Sequence, residues 1–288
     1  MASTREIRRR IRSVKNTAQI TKAMQMVAAS KMRRAQLRAL EGRPYQKLLE
    51  EITHSLAPQA GQLRHPLLNS RPVRRRVILV IATDKGLCGS LNTNLFRELF
   101  RRHSPERAYV SVGRKARSFL ASLPNSSQQT LLADFELRDN LTFRESKRIS
   151  RFLLEKFSSG EVDAIDIAHS HFVNALVQTT VVRPLVPIAL ESLEPGERPA
   201  TPVVPDNFEP SPEELLEALL PFFVDWNVYQ AILDGLASEH SARMIAMKNA
   251  TENAKELVGD LTLEYNKARQ EGITRELLEI ASAQLALE

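Results

Sequence analysis

Two long stretches, one at each end, restrict what this chain can fold into. From Ser3 to Gly42 there is no proline, and apolar or small residues recur at spacings of three and four. Ile7, Ile11, Val14, Ala18, Thr21, Ala28, Met32 and Ala35 form one thin stripe, interrupted by Gln25. That period predicts a long helix with a narrow, coiled-coil-like seam. Pro44 is a point where it is expected to bend before the pattern resumes through Tyr45–Leu56. Roughly fifty residues at ~1.5 Å each give a rod on the order of 80 Å. At the far end, Ser211-Pro212-Glu213-Glu214 reads as N-cap, first-turn proline and capping-box acid. Pro221 is expected to kink or restart this helix. Phe222–Ala283 then reads as helix throughout, with Ile232, Leu236, Met247, Ala250, Ala254, Leu257 and Leu261 near one seam. Gly235, Gly259 and Gly272 each weaken it by about 1 kcal/mol against alanine. Its length is on the order of 90 Å. Small seam residues on both rods predict close antiparallel pairing.

The texture changes between the rods. Val77–Ala82 is a continuous apolar run, short and β-branched, as a buried strand requires. Asn92–Arg102 reads as helix, Ala108–Val112 as strand, Arg114–Ser122 as helix and Thr142–Phe157 as a third helix. Strands are expected near Asp163–Ala168 and Thr179–Ile188. Alternating strands and helices imply an α/β layer with a mostly parallel, Rossmann-like sheet. Six prolines within Pro195–Pro212 mark a linker. The expected division is therefore a first shaft helix over 1–57, an inserted α/β domain over 73–193, a linker over 194–211 and a second shaft helix over 212–288.

Charge is unevenly placed. Residues 1–38 hold eleven Lys/Arg and one acid, Glu6, a surplus of +10, although the whole chain carries only +6. Residues 239–288 hold six Lys/Arg and nine acids. A block of like charge on one helix repels itself and calls for an acidic partner or abundant solvent. Nucleic acid, a cleaved targeting peptide and an acidic protein surface compete as explanations. The block lacks any aromatic residue before Tyr45, whereas single-stranded nucleic-acid sites add stacking platforms to their positive grooves. The stripe also runs on without a cleavage-like change of texture, so a protein partner is the preferred reading. No run of 18 apolar residues is present. One cysteine, Cys88, cannot form an internal disulfide, which fits a reducing compartment.

Three motifs could carry chemistry. Gly86-Leu87-Cys88-Gly89-Ser90 follows a strand and opens a helix, a place where phosphates bind. It lacks the spacing and lysine of a P-loop and the dinucleotide fingerprint, so a structural turn is expected. Asp84 and Lys85 offer an acid–base pair and Cys88 a nucleophile, yet no histidine lies near in sequence to activate the thiol; Cys88 is expected to fill a small buried space. His169 and His171 point to one face of a strand, with Asp166 on the opposite face. With no third ligand at suitable spacing, surface or edge histidines are expected rather than a metal chelate. No catalytic residue, cofactor or metal is assigned.

The residues also resemble one family. REIRRRIRSVKNTAQITKAMQMVAASKMRRAQ is similar, almost position for position, to the N-terminal helix of ATP synthase gamma subunits. ATDKGLCGSLNTNLF resembles that family's central turn, with Ser90 where a glycine is common. SEHSARMIAMKNATENA and YNKARQEGITRELLEI resemble its C-terminal helix, and the match spans the chain in order. Ala283-Gln284 replaces the family's usual Gly-Ala. No cysteine-paired insert of the chloroplast kind interrupts the middle, which points to a bacterial type.

That resemblance implies a non-catalytic rotor shaft: the helix pair inside a ring of alternating alpha and beta subunits, the α/β domain and linker gripping a membrane-embedded c ring, and the epsilon subunit alongside. Ion flow would turn the c ring and, through this chain, drive the catalytic sites carried by beta. The location implied is the cytoplasmic face of a bacterial plasma membrane, as a peripheral protein. By matching motifs, Met24, Arg243, Arg269, Gln270, Thr274 and Glu276 would lie where the shaft meets beta or where its own helices lock together. Asp206, Phe208 and Glu209 match the region that contacts the c ring. The rival readings are a nucleic-acid-binding coiled coil and a small α/β enzyme with helical arms.

Overall fold

A computed structural model describes residues 3–56, 65–69, 71–101, 106–123, 129–188 and 211–285. Their order is α1 (Thr4–Leu56), β1 (Arg75–Ile81), α2 (Leu91–Arg101), β2 (Glu106–Val112), α3 (Arg114–Ala121), β3 (Gln129–Phe135), α4 (Phe143–Ser158), β4 (Ala164–Phe172), β5 (Gln178–Val186) and α5 (Pro212–Leu285). The chain divides into two compact units: Met1–Ala29 with Arg243–Glu288, and Ser30–Ala242. Both long helices contribute to both units.

The first unit is an antiparallel helix pair. Ser3 starts α1 by accepting from the Glu6 amide at 3.3 Å, while Glu6 accepts from the Ser3 amide at 3.2 Å, a reciprocal cap. Side chains turned away from solvent on α1 are Ile7, Ile11, Val14, Ala18, Thr21, Gln25 and Ala28, alternating by four and three. On α5 they include Met247, Thr251, Ala254, Val258, Leu261, Tyr265 and Ala268, with the same alternation. A mean spacing of 3.5 residues keeps a seam facing its partner only if the helices coil about each other. The direction is fixed by Arg8, which donates to the Tyr265 hydroxyl at 3.2 Å, and by Thr21, whose hydroxyl lies 2.7 Å from that of Thr251. Leu257, expected on the seam, is instead 47% exposed, and Val258 takes its place. The heptad requires a step of four from Ala254, and Leu257 supplies three.

In the second unit the α1 stripe continues with the same period through Met32, Ala35, Ala39, Gly42, Gln46, Leu49, Thr53 and Leu56. Here α1 and α5 come very close. A Cβ on Gly42 would stand 2.4 Å from Gln230 Oε1, and Gln230 Nε2 donates to the Ala39 carbonyl at 2.8 Å. The rings of Tyr45 and Trp226 meet just beyond, 4.4 Å apart and tilted by 55°.

The sheet has strand order β3-β2-β1-β4-β5, parallel except for the antiparallel edge β5. Alternation along β1 sorts the two cores. Val77, Leu79 and Ile81 face α4, α5 and the end of α1, whereas Ile78, Val80 and Ala82 face α2 and α3. The result is an α/β/α sandwich whose strands are buried on both faces, as their continuous apolar sequences require. Thr142 caps α4 in a capping box with Glu145.

Two expectations need correction. Pro221 neither interrupts nor restarts α5, which runs unbroken from Pro212 to Leu285. Its missing amide hydrogen bond is outweighed by Leu216, Leu220, Phe223 and Val224, all at most 5% exposed on either side. Strand β3 is absent from the sequence expectations, because Gln129–Phe135 lies at the sheet edge and reads as mixed polar and apolar. Ser211 does cap α5, accepting from the Glu214 amide at 3.3 Å, and α1 continues through Pro44.

Candidate partner interface

The exposed surface of the helix pair is built by what the seam leaves out. Ten of the eleven basic residues in 1–38 are exposed; Lys31 is half-buried and pairs with Asp139. Along Arg5–Lys22, no ion pair to an acid is found among the described residues. The same helix exposes Ile20 at 61%, Met26 at 58% and Val27 at 57%. Ile20 and Val27, seven residues apart, share one face.

On α5 the pairing register sets a limit. Tyr265 already lies against Arg8, so residues beyond about Gly272 run past the start of α1 within this unit. Past that point Ile273, Leu277, Leu278 and Ile280 are 49%, 62%, 65% and 63% exposed. Exposed apolar groups of this density mark an interaction surface. Sequence reasoning misses them because LLEI continues a helical pattern; the signal is there, since the three-four seam has no counterpart on α1 beyond Gly272.

Among the candidate residues, Arg269, Gln270, Thr274 and Glu276 are exposed on this stretch, interleaved with the apolar groups. Arg269 has no hydrogen bond or ion pair among the described residues. Thr274 donates to the Gln270 carbonyl at 2.9 Å, one turn back. Met24 is half-buried beside the seam. Arg243 is 8% exposed and engaged within the chain. Asp206, Phe208 and Glu209 lie outside the described residues, as does most of the expected linker.

The glycine turn after β1 is held by side chains. Asn92 donates to Thr83 Oγ1 at 2.8 Å and accepts from the Thr83 amide at 3.3 Å. Cys88 is 3% exposed beneath them, so the expected packing role is met. Arg114 holds Asp84 in a fork, Nε donating to Oδ1 at 3.0 Å and Nη2 to Oδ2 at 2.6 Å. That hydrogen bonding holds its carboxyl below the ordinary carboxylate range, outweighing the upward push of burial. Asp84 thus serves Arg114 and anchors α3 to the end of β1.

One correction concerns the histidines. His169 is not at the surface: it is 3% exposed, on the β4 face that carries Ile165 and Ile167 and is covered by α5. His171 Nδ1 lies 2.6 Å from Asp234 Oδ2 of α5. The acid missing near these histidines in sequence is supplied from 63 residues away. Asp166 does take the opposite face, where Arg76 binds it at 2.6 Å.

A coiled helix pair and an α/β unit, sharing the two long helices, define a protein of helical-arm architecture. Against known proteins, the family model described as ATP synthase matches residues 3–287. The ATP synthase gamma chain of Methylacidiphilum infernorum (isolate V4) is 64% identical over 292 aligned residues, covering 100% of both chains. A central stalk/c-ring structure of the Tetrahymena thermophila mitochondrial ATP synthase matches with TM-score 0.59 and 28% identity, covering 80% of this chain and 99% of that one. A chain of the Euglena gracilis mitochondrial ATP synthase shares the fold, at TM-score 0.69 and 22% identity, covering 99% and 94%. The chain belongs to the ATP synthase gamma chain family. It is a subunit of that complex.

Proposed function

We propose that this chain is the central shaft of a bacterial ATP synthase, without catalytic residues of its own, coupling c-ring rotation to the alpha/beta head. The observation that carries this reading is the α5 end beyond Gly272: an unpaired helix with exposed Ile273, Leu277, Leu278 and Ile280 beside Arg269, Gln270 and Glu276. Such a surface is costly in water and suits enclosure by a ring of subunits. The exposed, unneutralised basic face of α1 suits acidic loops of beta, and charge pairs there would contribute only about 0.2–1 kcal/mol each, so they can be exchanged during a turn. Met24 and Arg243 would help fix the helix pair or its contact with beta. Asp206, Phe208 and Glu209 would meet the c ring, with epsilon nearby. No described helix is long and apolar enough to cross a membrane, which is compatible with a peripheral position on the cytoplasmic face.

Arg269 presents a planar fork of donors suited to a carboxylate, and Gln270 both a donor and an acceptor. Truncating one partner of a charged hydrogen bond costs about 1.5–3 kcal/mol. Arg269→Ala with Gln270→Ala should therefore lower ion-driven synthesis and cooperative hydrolysis about tenfold or more, with subunit composition unchanged. Purified complexes assayed for both activities test it. Equal rates and equal ion pumping in the double variant would remove these two residues from the interface.

A further inference from the structure

We propose that His169, His171 and Asp234 form a binding site for a divalent transition-metal ion of the zinc class, clamping β4 to α5 inside the α/β unit. Three ligand atoms, one from each residue, lie within 4.8 Å of one another. Two imidazoles and a carboxylate match the borderline-soft donor set that zinc takes, with a fourth position left for water.

The strand and the helix each contribute for a local reason. His169 and His171 are two apart on β4, so both point at α5. Asp234 sits where α5 crosses that face, its side chain 6% exposed.

Independent support comes from His169, which is 3% exposed and whose Nδ1 has no hydrogen-bond partner. An unsatisfied buried ring nitrogen is destabilising, and a bound ion would satisfy it. His171 has 37% of its side chain exposed, which opens a path for the ion.

Two features oppose binding and set its strength. Arg43 lies 3.5 Å from Asp234 Oδ1, and Arg183 stands near His169 while donating to Asn227 at 2.8 Å. The Asp234 carboxylate offsets part of their charge, and Arg43 is turned mainly to the Phe172 carbonyl, at 2.6 Å. Tetrahedral zinc with bonds of ~2.0–2.1 Å separates its ligand atoms by about 3.3 Å. Small side-chain rotations of His171 and Asp234 from their 2.6 Å contact supply that geometry.

The test is zinc chloride titrated into the chelator-stripped full chain, followed by calorimetry and by histidine-resolved 15N NMR. One ion per chain is expected, perturbing the His169 and His171 ring nitrogens and raising the thermal midpoint. His171→Gln and Asp234→Asn should each weaken binding by at least about tenfold while far-UV circular dichroism stays native. If a variant loses its fold, the wild-type NMR spectrum alone decides. Zinc that leaves both rings unshifted, or binds both folded variants as tightly as wild type, would overturn the site.

Discussion

At the scale of single residues, backbone demands outrank chemistry in the turns after the strands. Gly113 has φ 92°, and a Cβ there would meet the Ala82 carbonyl oxygen at 2.3 Å. Gly89 has φ 59° with nothing within 4 Å. Gly113→Ala should therefore cost about 2–3 kcal/mol and Gly89→Ala only about 1 kcal/mol, read from urea midpoints. Equal midpoints for the two variants would show that the Ala82 carbonyl yields freely. Asp84 carries a pH signature. Because its carboxyl is held below the ordinary value in the folded chain, the Arg114 pair stabilises above that value and is lost as pH falls through the folded one. Asp84→Asn should lower the melting temperature at pH 7, with the difference from wild type shrinking towards pH 3. A difference independent of pH would reassign the effect to packing.

At the scale of elements, the helices are the most legible part of the sequence. The three-four stripe on α1 from Ile7 to Ala35 is the seam itself, because every step of a coiled pair is a local constraint written into one helix. The α5 stripe is harder to read. In the second unit α5 is buried nearly all round, with Val228, Ala231, Ile232, Leu233 and Leu236 all at most 3% exposed, so no single face stands out. Leu257 is misread because its apolar character says nothing of register. The Thr21–Thr251 contact tests the paired seam directly. Each hydroxyl also reaches a carbonyl on its own helix, Ala18 for Thr21 at 3.1 Å and Met247 for Thr251 at 2.7 Å, so replacing either threonine by valine removes the cross-helix bond and should cost about 0.5–1.5 kcal/mol. A double-mutant cycle on thermal unfolding gives the coupling; a value of zero would mean that the two hydroxyls do not interact.

At the scale of the whole molecule, the fold class and the order of parts are legible in local sequence pattern, whereas sites assembled from distant segments are not. His169 and His171 have no visible partner in the sequence around them; the fold delivers Asp234. The exposed end of α5 likewise emerges only from the pairing register, which shows where α1 stops. The candidate contacts on α5 come from motif resemblance, since an exposed Arg269 differs from ordinary helix surface only when a partner is present. The central claim is that this chain turns as a shaft. Its most direct measurement fixes the purified complex through beta, attaches a probe to a cysteine introduced at the exposed Arg148 of the α/β unit in a Cys88→Ala background, and follows the probe during ATP hydrolysis. The account predicts sustained rotation in one direction, halted when ATP is withdrawn. Full hydrolysis with a stationary probe would contradict it.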